Sequence, residues 1–196
     1  MAAPAPIKRS YISRVVLAHD VQRMCGGISE IKLVPNINIL AGPNGSGKST
    51  ILRVIRDKDW CSNMGCEVER VGERNLEFVA FDGELDNPRA MPGRGPLQFI
   101  SHVGSHGEVQ KRAYSFISER LQPGMLVLLD EPESALDIVG VKKLGALIIS
   151  RTDLQWIVAS HSPFIWGLQQ HAGARLVELR PGYVQAALAQ YKAMMG

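Results

Sequence analysis

Apolar residues recur along this chain in two rhythms, short unbroken runs and stripes at helical spacing, and their alternation predicts strands and helices in turn. Ile37-Asn38-Ile39-Leu40-Ala41 suits a buried strand, and shortly after it Ile51, Leu52, Val54 and Ile55 recur as on one face of a helix. Met125-Leu126-Val127-Leu128-Leu129 is a continuous apolar run, which marks a strand covered on both faces. A helix over about residues 139–149 and a strand at Gln155-Trp156-Ile157-Val158-Ala159 continue the alternation. Leu76-Glu77-Phe78-Val79-Ala80-Phe81 has strand composition. Val109, Ala113, Phe116, Ile117 and Leu121 form a helical stripe that Gln122-Pro123-Gly124 ends.

The remaining stretches are less regular. Residues 11–34 read as two strands around a turn at Cys25-Gly26-Gly27, with Val15, Val16 and Leu17 in the first and Ile28, Ile31 and Leu33 in the second. Asp57-Lys58-Asp59-Trp60 opens a polar stretch that runs through Arg74-Asn75 with no element predicted in it. Pro92, Gly93, Gly95 and Pro96 make residues 89–96 a loop. Residues 175–179, a Pro181-Gly182 turn and residues 183–188 read as a terminal β-hairpin.

Composition narrows the class. A chain of 196 residues is long enough for one substantial domain and too short for two ordinary ones, so residues 11–196 are expected to form one domain behind a disordered leader, residues 1–10. Apolar content of 45%, charged content of 21% and no apolar run near ~20 residues predict a protein that does not itself enter a membrane and works in the cytoplasm. A net charge of +3 leans weakly toward acidic partners and does not by itself indicate nucleic acid. The three cysteines, odd in number and without zinc-ligand spacing, are expected as free thiols in a reducing compartment.

Chemistry concentrates at strand ends. Gly42-Pro43-Asn44-Gly45-Ser46-Gly47-Lys48-Ser49-Thr50 is a complete phosphate loop between a predicted strand and a predicted helix, the context that the motif needs. Its glycines let backbone N–H groups and the helix N-terminus approach an anion, Lys48 is expected at the β- and γ-phosphates, and the Ser49 hydroxyl on Mg²⁺. Asp130 and Glu131 close the apolar strand, placed to hold Mg²⁺ through water and to polarise an attacking water. His161, at the end of the next strand, is either a packed histidine or a contact to the terminal phosphate. Ser105-His106-Gly107-Glu108 opens a helix whose free N–H groups suit an anion, or is a capping pattern alone. Tyr11 either stacks on a base or packs at a sheet edge.

In this order the motifs resemble the ATP-binding-cassette (ABC) class of P-loop ATPases over about residues 28–166. The phosphate loop matches Walker A, Ser105-His106-Gly107-Glu108 the signature, the run from Leu126 to Asp130 Walker B with Glu131 behind it, Ser134-Ala135-Leu136-Asp137 the D-loop and His161 the switch histidine. Ser-His-Gly-Glu, Leu-Leu-Asp-Glu-Pro-Glu-Ser-Ala-Leu and Ala-Ser-His-Ser-Pro-Phe further resemble small stand-alone bacterial and phage ATPases of the AAA_21-like group. The resemblance implies an α/β fold with a mostly parallel central sheet and an N-terminal antiparallel β-subdomain. The short distance from Walker A to the signature implies a shortened helical subdomain. The class also has a Mg²⁺-sensing glutamine, the Q-loop residue, for which Asp82 and Gln98 are the two candidates here.

What the resemblance implies for activity is ATP hydrolysis with Mg²⁺ by two copies closed head to tail, with Ser105 and the Gly107 amide on the partner's γ-phosphate and His106, Glu108 and Asp137 also at the nucleotide. The motion would drive an unidentified effector protein, in a defence, phage or DNA-related system. The alternatives are a transport ATPase with a separate membrane permease and a module that holds ATP without turnover.

Overall fold

The computed structural model describes residues 10–72, 78–82, 119–134 and 136–195. Its centre is a five-stranded parallel sheet in the order β5-β6-β7-β3-β8, made of β3 (Ile37–Ala41), β5 (Phe78–Asp82), β6 (Leu126–Asp130), β7 (Gln155–Ser160) and β8 (Ala174–Glu178). All residues of β3, β6 and β7 are buried, which is what the unbroken apolar runs anticipate for strands covered on both faces. The period of two then sorts the side chains. Leu126, Leu128, Ile157, Ala159 and Leu40 face one core with Ile51, Leu52, Val54 and Ile55 of α2 (Lys48–Arg56). Val127, Leu129, Trp156, Val158, Ile37 and Ile39 face the other, with Val141, Leu144 and Ile148 from a later helix, residues 138–150.

The register fixes what lies side by side at the carboxyl edge. Asp82 pairs with Asp130, Asp130 with Ala159, Ala41 with Ser160 and Ala41 with Glu178. The chain leaves all five strands at one level there. That places the phosphate loop, the Asp130-Glu131 step and His161 on one edge, as a parallel sheet requires of its site.

A second, antiparallel sheet of order β2-β1-β4 holds β1 (Tyr11–Val16), β2 (Glu30–Lys32) and β4 (Glu67–Val71). Gln155, 1% exposed, ties the two sheets together. Its amide accepts from the Ile12 N–H (2.8 Å) and donates to the carbonyls of Ile12 (2.7 Å) and Val34 (2.9 Å).

Three expectations are corrected. The connection from β1 to β2 is not a simple turn but carries α1 (His19–Met24), a six-residue helix that buries Val21 and ends at Cys25; Gly26 and Gly27 then turn the chain at positive φ. The polar stretch holds α3 (Lys58–Asn63), capped by Asp57 accepting from the Trp60 N–H (2.9 Å), and the mostly exposed β4. The C-terminus is not a hairpin. β8 runs parallel to β3, and residues 183 onward form a helix (Tyr183–Met195). The Glu178 carboxylate explains the switch, accepting from the N–H groups of Gly182 (2.7 Å) and Val184 (3.0 Å) at the helix start, so Pro181-Gly182 begins a helix. In chain order the last helices are therefore α4 (Ile138–Ser150), α5 (Pro163–Trp166) and α6 (Tyr183–Met195). The shortened helical subdomain expected between Walker A and the signature is not tested, because residues 73–77 and 83–118, the signature included, lie outside the described residues, as does the leader apart from Ser10.

Candidate nucleotide and catalytic site

The loop between β3 and α2 has the backbone its glycines allow. Gly45 and Gly47 sit at φ +74° and +91°. A Cβ on Gly47 would stand 2.5 Å from the Cys25 sulfur and 2.9 Å from the Met24 carbonyl oxygen, so α1 packs directly on the loop and no other residue fits there. Beside the loop opens a cavity of about 510 Å³ lined by Asn44, Gly45, Gly47, Lys48, Ser49 and Thr50, closed on other sides by Met24 and Glu131. That volume lies in the range of small-molecule sites.

Lys48 is 4% exposed. Its ammonium donates to the carbonyls of Gly42 (3.2 Å) and Pro43 (3.3 Å), and stands 2.7 Å from His161 Nε2 and 3.8 Å from Glu131 Oε1. His161 Nε2 is in turn 2.8 Å from Glu131 Oε1. One ring nitrogen has a single hydrogen-bonding site, so a neutral ring either accepts from the ammonium or donates to the carboxylate, and the three groups compete for it. Burial holds the Lys48 ammonium below the ordinary lysine value of 10.5, and the nearby charges of Glu131, Asp130 and Glu133 pull only part of the way back.

Asp130 is buried at the end of β6. The next residue, Glu131, is the only non-glycine residue at positive φ among the described residues (+44°), and its N–H donates to the Ala159 carbonyl (2.9 Å). A left-handed glutamate at a strand end is the kind of local strain that collects at functional sites. Ser49 and Asp130 offer the oxygen donors that Mg²⁺ takes. No cluster of three His, Cys, Asp or Glu side chains forms a cage among the described residues.

The site residues expected from sequence fall into three groups. Gly42, Pro43, Asn44, Gly45, Ser46, Gly47, Lys48, Ser49 and Thr50 form the loop, and Glu131 and His161 stand against Lys48. Asp137 is exposed and caps α4, accepting from the Gly140 N–H (2.7 Å). Ser105, His106, Gly107, Glu108 and Gln98 lie outside the described residues, and Asp82 ends β5 in register with Asp130. Tyr11 belongs to β1, opposite Val71, and is not among the residues that line the cavity; Met24 is.

No family model matches the chain. It is 26% identical over 188 residues to the cytochrome c biogenesis ATP-binding export protein CcmA of Gluconobacter oxydans, covering 82% of this chain and 84% of that protein. It is 30% identical over 142 residues to prion formation protein 1 of Saccharomyces cerevisiae, matching 62% of this chain but spanning only 12% of that relative's length. Among solved structures, a bacterial Atm1-family ABC exporter with ATP bound superposes at a TM-score of 0.55 and 17% identity, over 96% of this chain and 44% of that one. In sequence and in fold the chain is similar to ABC-class P-loop ATPases. Its parallel sheet with an antiparallel N-terminal sheet is the fold of that class. No helix among the described residues is long and apolar enough to cross a membrane.

Two residues at the site went unnoticed in the sequence. Met24 leaves no signal, because it reaches the cavity only through the unexpected helix α1. Glu133 does leave one. It lies two residues past Glu131, and the hydroxyl-bearing segment Ser160-His161-Ser162 lies at the end of the adjacent strand; its Oε1 accepts hydrogen bonds from that segment.

Proposed function

We propose that this chain is an ABC-class ATPase that binds ATP with Mg²⁺ in the cavity beside the phosphate loop and hydrolyses it to ADP and phosphate. The observation that carries the reading is the convergence of Lys48, Glu131 and His161 within 2.7 to 3.8 Å of one another at the mouth of that loop. The loop N–H groups and the N-terminus of α2 bind the phosphate chain, and Lys48 leaves its contacts to Gly42 and Pro43 to meet the β- and γ-phosphates. Ser49 and Asp130 would hold Mg²⁺, whose charge neutralises that developing on the phosphate oxygens. Glu131 orients and polarises the attacking water, and His161 supports the terminal phosphate.

Two copies then close head to tail over the nucleotide, each supplying Ser105 and Gly107 to the other, with His106, Glu108 and Asp137 at the same junction. Hydrolysis opens the pair, and the motion drives a partner protein. Likeness to an ATP-binding export protein over 84% of that relative's length supports a separate membrane permease as the partner. The stand-alone phrasing of the motifs supports a regulator or motor with an effector protein in the cytoplasm. Affinity capture with the Glu131→Gln protein, ATP and Mg²⁺ separates them: enrichment of a polytopic membrane protein supports transport, and enrichment of a nuclease or other effector supports a switch. A wild-type chain that releases no phosphate from ATP defeats the hydrolytic reading itself.

A further inference from the structure

Beside the Lys48–Glu131–His161 contact stands a carboxylate, Glu133, that is not among the residues lining the cavity. Oε1 of Glu133 accepts three hydrogen bonds, from the Ser160 hydroxyl (2.5 Å), the His161 N–H (2.7 Å) and the Ser162 N–H (3.0 Å). The Ser160 oxygen also accepts from the Ser162 N–H (3.0 Å), closing the loop on itself. Oε2 of Glu133 is buried and makes no hydrogen bond among the described residues. A carboxylate that collects a hydroxyl and two successive backbone N–H groups fixes the direction of that backbone, because charge-assisted bonds are short and roughly twice as strong as neutral ones.

Glu133 itself is carried on the turn after β6, where the Ser134 N–H donates to the Glu131 carbonyl (3.0 Å) and Glu131 sits at φ +44°. One side chain thus joins the turn that aims Glu131 to the segment that aims His161, across two neighbouring strands. We infer that Glu133 is a positioning residue that holds His161 against Glu131 and Lys48 by clamping the Ser160–Ser162 backbone. The inference rests on the hydrolytic reading for its kinetic part. Glu133 is not among the residues that line the cavity.

The test uses the full chain with Glu133→Ala, which removes the acceptor, Glu133→Gln, which keeps an oxygen in its place, and Glu133→Asp, which keeps the charge but withdraws it by one methylene. Turnover, KM, nucleotide affinity by calorimetry, thermal midpoint and the His161 ring resonance are measured, the last assigned by its loss in His161→Gln. Glu133→Ala is expected to lower kcat by about ten-fold or more with KM and ATP affinity within about three-fold, and to move the His161 ring signal toward that of free histidine. Glu133→Gln is expected to recover kcat and the ring signal. Should Glu133→Ala fail to fold, Glu133→Asp must show the same kcat loss and ring shift. The inference is overturned if the acceptor-less or shortened variant keeps wild-type kcat and ring signal, if kcat and affinity fall together, or if Gln fares no better than Ala. A wild-type chain that binds ATP without turnover defeats the hydrolytic reading alone, and the ring signal in the variants still decides the clamp.

Discussion

Replacing Lys48 by methionine keeps most of the buried stem and removes the ammonium. In the free protein that ammonium donates to two carbonyls at 3.2 and 3.3 Å and stands 3.8 Å from Glu131. Losing the two donations costs on the order of 1 kcal/mol each. Against this, the buried charge no longer has to be held away from water, and His161 Nε2 becomes free to donate to Glu131 at 2.8 Å without competition. The balance leaves stability within about 1 kcal/mol of wild type, a shift in Tm of ~2–4 °C or less at this chain length. Binding is different, because no other lysine or arginine among the described residues lines the cavity to replace a charge-assisted contact to phosphate. That contact is worth ~1.5–3 kcal/mol, or roughly ten- to hundred-fold in affinity. Calorimetry with ATP and Mg²⁺, paired with a thermal scan, reads both quantities. A Lys48→Met protein that melts normally and binds ATP within about three-fold of wild type refutes the placement of Lys48 on the phosphates.

His161→Ala should leave Tm nearly intact, since the ring is only half-buried beside Glu131, while turnover falls by about ten-fold or more; a destabilised protein with normal turnover per folded molecule returns His161 to a packing role. Because burial lowers the Lys48 value below 10.5, the unfolded chain binds more protons than the folded one between the folded value and 10.5, so stability attributable to Lys48 rises with pH across that window. Phosphate oxygens favour the ammonium, so ATP binding in the same window should take up protons. Calorimetry in two buffers of different ionisation heat detects the uptake, and its persistence in Lys48→Met contradicts the assignment. Gln155→Leu leaves the Ile12 N–H and the carbonyls of Ile12 and Val34 without their partner and should cost about 3 kcal/mol, lowering Tm by ~6–12 °C; an unchanged melt denies Gln155 its role in joining the two sheets.

The parts of the molecule that could be read from sequence are those where one local rule decides. β3, β6 and β7 are buried on both faces and therefore appear as unbroken apolar runs, and the phosphate loop announces itself through glycines that the backbone needs, Gly47 above all. What stayed hidden depends on partners distant in sequence. β4, Glu67–Val71, exposes most of its side chains and is a strand only because β1 pairs with it. β8 carries a hairpin-like composition, yet it docks parallel to β3, and the Glu178 carboxylate then starts α6 where a turn was expected. Helix α1 buries a single residue along its length, too little for a periodic signal, and so Met24 could not be placed at the cavity. At the site, motif spacing singled out Lys48, Glu131 and His161, which the fold brings together, while the Glu133 hydrogen bonds appear only once β6 and β7 are neighbours.

The central claim is that Glu131 turns bound ATP over from its place beside Lys48 and His161. Glu131→Gln keeps the side chain's shape, and glutamine tolerates the same left-handed backbone no worse than glutamate, but the amide cannot polarise a water as a carboxylate does. A single-turnover measurement with ATP labelled in the γ-phosphate, enzyme in excess and Mg²⁺ present, separates binding from chemistry, and light scattering on the same samples reports closure of the pair. The expected result is ATP affinity within about three-fold of wild type, conversion of bound ATP slowed by roughly two orders of magnitude or more, and a dimer that persists while the ATP does. Conversion by the Glu131→Gln protein at the wild-type rate contradicts the account.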